Sequence, residues 1–96
     1  MFFIELTFTR PLEEIVEKYG TAHGEYLDRY YKSGHFIVSG AQVPRLGGAI
    51  LAKAKDYAEA KAIVEEDPFV VHNVVDYRIV EFEALKQQNW FDATLS

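Results

Sequence analysis

The sequence contains no cysteine, which excludes a disulfide framework, a thiolate metal site and a thiol nucleophile. It has no basic start followed by an apolar run, so a signal peptide is not expected. It has no stretch approaching the ~20 apolar residues of a membrane span. These absences favour a cytoplasmic location. Basic charge is scarce as well: 10 Lys and Arg stand against 15 Asp and Glu, a formal net charge of −5. An acidic chain repels phosphate backbones, and no element carries a Lys/Arg cluster, so nucleic acid is not an expected partner. The three histidines form no H-x-H, HExxH or carboxylate–histidine cluster, and no metal or other cofactor is expected.

What is present suits a packed core. The chain has 96 residues, 49% of them hydrophobic and 15% aromatic, enough for one domain and too few for two. Phe2 to Thr9 is aromatic and β-branched with one charge, the composition of a strand. Pro11 with Glu13 and Glu14 behind it opens a helix. Leu12, Ile15, Val16, Tyr19, His23, Tyr26, Leu27 and Tyr30 recur at three- and four-residue spacing as its apolar face. Gly20 and Gly24 weaken that helix, and a kink near Gly20-Thr21 is expected. Ser33-Gly34 ends it. Phe36 to Ala41 and Ala49 to Ala52 form a hairpin around Pro44 and Gly47-Gly48. Asp56 and Glu59 make a capping box for a second helix, which Asp67-Pro68 stops. A short connection and a left-handed Asn73 lead into a last strand from Val74 to Phe82.

The order strand, helix, strand, strand, helix, strand is that of an α+β ferredoxin-like βαββαβ fold, a four-stranded antiparallel sheet with two helices on one face. The strands look apolar on both faces. A second copy is the simplest cover for the open one, so a homodimer through the sheet faces is expected. The domain is taken as residues 1–84, followed by a C-terminal tail, 85–96, with an apolar patch at Trp90-Phe91.

Two residues carry the strongest candidate chemistry, and each has two readings. His23 on the apolar stripe is either a core histidine with one satisfied hydrogen bond or a general acid/base, since imidazole titrates nearest neutrality. Asp67 either caps the turn begun by Pro68 or points its carboxylate at an imidazole. Ser39-Gly40 marks a bulge or the close approach of a ligand. His72 beside Asn73 reads as a solvated loop residue.

Thr9-Arg10-Pro11-Leu12-Glu13, Ala22-His23 with Tyr26-Leu27, Ser39-Gly40-Ala41-Gln42-Val43-Pro44-Arg45 with Gly47-Gly48, and Glu66-Asp67-Pro68-Phe69-Val70 together resemble the YCII-related family from the first strand through Phe82. The resemblance implies a dimeric α/β barrel of ferredoxin-like subunits. It implies an active-site pair, here His23 and Asp67, with Ser39 and Gly40 lining the same pocket. It also implies acid/base elimination or isomerisation on a small, often aromatic, molecule. Tyr26 and Pro68 complete the expected substrate-binding set. The sequence departs from the family at Asn73, where glycine is common, at His72, and at Gly24, where a longer side chain is common. A non-catalytic module of the same fold, binding a small ligand or a partner, is the alternative.

Overall fold

The computed structural model describes residues 1–91; the last part of the expected tail, residues 92–96, lies outside them. Seven elements follow one another: β1 (Phe2–Phe8), α1 (Leu12–Lys32), β2 (Phe36–Ala41), β3 (Gly47–Ala52), α2 (Tyr57–Val64), α3 (Pro68–Val71) and β4 (Val75–Glu81). The strands form one antiparallel sheet in the order β2-β3-β1-β4. This is the expected α+β sandwich, with one helix more than expected.

Strand alternation sorts the residues to two faces. Phe2, Ile4 and Leu6 of β1 are buried, as are Ile50 and Ala52 of β3 and Val75 of β4. They meet Ile15 and Tyr26 of α1, Ala60, Ile63 and Val64 of α2, and Phe69 of α3 in one core. The register pairs Phe3 with Leu51 and with Val80. Those three therefore share the opposite face with Val38, which pairs with Leu51 across a β2 irregularity.

α1 is unbroken through Gly20 and Gly24, and the expected kink does not occur. Its packing explains this. Ile15 and Tyr26 anchor it to the core, and Tyr19, Leu27 and Tyr30 pack against the core's edge, which outweighs about 1 kcal/mol of propensity lost at each glycine. Val16, expected on the packed stripe, is 52% exposed. Gly34 closes the helix at φ +85°, a conformation that favours glycine. Asp56 caps α2 by accepting from the Glu59 N–H at 2.8 Å.

The expected connection after Asp67 is instead the one-turn helix α3. Pro68 occupies its first turn and the Asp67 side chain caps it, the arrangement that favours helix initiation. Asn73 follows at φ 57° and delivers the chain to β4. Beyond Glu81 the described residues form no helix or strand, although the Phe82 N–H bonds the Met1 carbonyl at 2.9 Å. Among the described residues no helix is long and apolar enough to cross a membrane.

Candidate functional site

The site is organised by the junction between α2 and α3. Asp67 is 1% exposed. Its Oδ1 accepts from the Phe69 N–H at 2.9 Å, a local bond fixed by the cap itself. The same oxygen lies 2.8 Å from His23 Nδ1, reaching across from α1. A carboxylate oxygen accepts, so Nδ1 is the ring nitrogen that donates in this pair and Nε2 is the one left for the cavity. The Phe69 ring lies parallel to the imidazole, centroids 3.9 Å apart and planes within 7°. The histidine is thus held at its edge by a carboxylate and at its face by an aromatic ring. The other carboxylate oxygen of Asp67, Oδ2, is buried without a hydrogen-bond partner. Buried unpartnered oxygens are uncommon and keep a carboxylate dependent on its remaining bonds.

His23 opens on a cavity of about 490 Å³ between α1 and the β2–β3 half of the sheet. One wall is α1, with Leu12, Val16, Gly20, Thr21 and Leu27. The other is unusually short in side chains: Ser39, Gly40, Ala41, Gly47, Gly48 and Ala49. The space exists because those strand residues do not fill it. Leu6, Phe8, Ile50 and Phe69 form the apolar floor, and Arg45 of the β2–β3 loop lines the cavity as well. The volume suits a small organic molecule.

His23, Ser39 and Gly40 come together on this cavity, with Asp67 directly behind the imidazole. Ser39 is tied to α1 through a 2.6 Å bond between its hydroxyl and that of Tyr31. Tyr26 is not on the cavity wall. It lies about 60° around the helix from His23, is 2% exposed, and donates its hydroxyl to the Ile63 carbonyl at 2.8 Å. Burial pushes that hydroxyl far above its ordinary ionisation range, and the Asp67 charge adds to the effect. Its role is to tie α1 to α2. Pro68 is also off the wall and serves as the first residue of α3. His72 is exposed, as expected of a loop residue, but its ring stacks on Tyr19 with centroids 4.3 Å apart. Three contributors were not anticipated as site residues: Phe69, Tyr31 and Arg45. Of these only Arg45 left a signal, a lone cation between Pro44 and Gly47-Gly48. Among the described residues no group of three or more His, Asp or Glu side chains could hold a metal ion.

Tyr26→Phe follows as a test of the tie. The Ile63 carbonyl also accepts from the Glu66 N–H, so losing one of two donors should cost about 1 kcal/mol. A group whose ionisation is raised by folding adds stability that is intact below its unfolded value of about 10 and declines above it. Denaturant titrations should therefore show the wild-type advantage at pH 7 and its shrinkage as pH rises past 10. An advantage that persists undiminished would mean that the hydroxyl is not buried.

Fold and side chains define a ferredoxin-like α+β domain with His23 on the wall of a cavity and Asp67 bonded behind it. The chain belongs to the YCII-related domain family, whose model matches residues 1–83. Among solved structures it is similar to the 5-chloro-2-hydroxyhydroquinone dehydrochlorinase TftG of Burkholderia phenoliruptrix, in complex with 2,5-dihydroxybenzoquinone. That match has a TM-score of 0.70 and 19% identity, and covers 86% of this chain and 94% of the other. No curated protein matches the sequence.

Proposed function

We propose that the chain is a cofactor-free acid–base catalyst that carries out an elimination or isomerisation on a small aromatic-sized molecule, working as a homodimer. The observation that carries the reading is the 2.8 Å His23–Asp67 pair with its imidazole opening on the cavity. Nε2 takes a proton from the bound molecule, and the buried Asp67 carboxylate stabilises the imidazolium that results. In an elimination the electron pair left behind expels the leaving group as an anion. In an isomerisation the imidazolium returns the proton to a different atom. Similarity of fold to a dehydrochlorinase makes elimination the first chemistry to try.

The test is a panel of lactones, phenols and halogenated aromatics, followed by chromatography of the products. Turnover by the wild type and its loss in His23→Gln is the expected result. Binding with no turnover across the panel would replace catalysis with ligand binding as the function.

The open sheet face supports the dimer. Val38 is 57% and Val80 38% exposed, on the same face as Phe3 and Leu51. Sedimentation should give twice the 11.0 kDa of one chain, and Val38→Glu combined with Val80→Glu should give monomers. A wild type that sediments as a monomer at high concentration would remove the dimer from this proposal.

A further inference from the structure

The chain as a whole is acidic, at −5, yet the cavity has no Asp or Glu on its wall. Its charged lining residue is Arg45, and its other titratable one is His23. Among the described residues Arg45 has no ion-pair partner, whereas Arg29 pairs with Glu66 at 3.1 Å and Arg78 with Glu5 at 3.6 Å. The loop that carries Arg45 is fastened to the sheet on both sides. The Gln42 N–H bonds the Gly47 carbonyl at 2.9 Å, and the Phe8 N–H of β1 bonds the Leu46 carbonyl at 2.8 Å. The Gln42 side chain donates to the carbonyls of Leu6 and Gly48 at 3.3 and 3.2 Å. The loop backbone is thereby fixed, and it sets Arg45 at the opening of the cavity. Ser39 stands on the same wall, its hydroxyl paired with Tyr31. When Tyr31 donates in that pair, the Ser39 O–H is left to donate into the cavity.

We propose that the cavity is selective for an anion, a small organic acid carrying a carboxylate or an ionised phenol, and that Arg45 is the residue that binds its charge. The apolar floor takes the body of the molecule, Arg45 and Ser39 take its charged oxygens, and its acidic proton is presented to His23. A guanidinium suits this task because its planar array of donors matches two oxygens at once. The inference rests on the cavity being the ligand site of the proposal above.

The test uses acid and amide pairs of matched shape, such as 4-hydroxybenzoate with 4-hydroxybenzamide and 3-chlorobenzoate with 3-chlorobenzamide. Binding is read from the amide NMR signals of His23 and Phe69. The acids should bind about tenfold tighter than their amides in the wild type, and salt should weaken the acids more. Arg45→Gln should abolish the preference while the amides still bind, and Arg45→Lys should restore part of it. Equal binding of acids and amides, or a preference that survives Arg45→Gln, would overturn the inference and leave the ligand site standing. If no probe moves the two signals, the cavity is not a ligand site, and both proposals fall.

Discussion

Gly47→Ala is expected to leave the chain without a stable fold. Gly47 is the first residue of β3 and pairs with Thr7 of β1. A Cβ placed on it would collide with the Leu6 carbonyl oxygen and lie 2.7 Å from the carbonyl carbon. Neither atom belongs to a flexible side chain that could move aside. Both belong to the backbone of the strand at the centre of the core, so β1 and β3 would have to part. The loss should exceed about 4 kcal/mol, a size reserved for mechanisms of this kind. That is most or all of the stability of a domain this small. Gly24→Ala is the natural contrast. Apart from its chain neighbours and the backbone of its own helix, no atom lies within 4 Å of the added carbon there, and it sits inside α1, so the change should add about 1 kcal/mol. Thermal unfolding of both variants is the check. A Gly47→Ala protein that melts within a few degrees of wild type would show that the two strands are not so closely opposed.

The second large effect falls on chemistry and spares the fold. In His23→Gln the side-chain amide can still donate to Asp67 Oδ1, so the buried carboxylate keeps a partner. What disappears is the basic nitrogen. On a substrate found in the panel, turnover should fall by about 10²–10⁴-fold, the usual contribution of a placed acid or base, while circular dichroism and ligand affinity stay near wild type. Asp67→Asn separates charge from orientation. The Phe69 N–H already donates to Oδ1, which forces the amide to keep its oxygen there and its NH₂ at the Oδ2 position. His23 Nδ1 then still finds an acceptor, and its tautomer is preserved while the negative charge is gone. The rate should fall less than in His23→Gln, and ¹⁵N spectra should still show a protonated Nδ1. Full activity in His23→Gln would end the acid–base reading.

Much of the architecture was legible because its signals are local. Pro11 with Glu13 and Glu14, the Asp56–Glu59 box, Gly34 and Asn73 each act within a few residues of the boundary they set. α3 escaped because a four-residue helix has no periodic stripe to detect. The continuity of α1 was misjudged because propensity at Gly20 and Gly24 is a local quantity, whereas the burial of Ile15 and Tyr26 that overrides it is not. The site shows the same division. The residue pair came from a family resemblance, since nothing in the spacing of positions 23 and 67 says that they meet. Tyr26 was misplaced for a finer reason. An apolar stripe on a helix is broad enough to face two surroundings, and here one flank looks into the cavity while the other looks into the core. The Phe69 ring and the Tyr31 hydroxyl matter through contacts with other elements, His23 and Ser39, which no local pattern records.

Asp67 and His23 differ in how much else depends on them. The aspartate starts a helix, holds the backbone of Phe69 and supports the imidazole; the histidine has its bond to Asp67 and a stacking neighbour. Descendants that kept only the cavity would therefore be free to discard the imidazole, but would retain the carboxylate as part of the scaffold. In such a lineage the aspartate outlives the imidazole, and under the proposed chemistry the residue at position 23 is the one that tells a working descendant from a retired one.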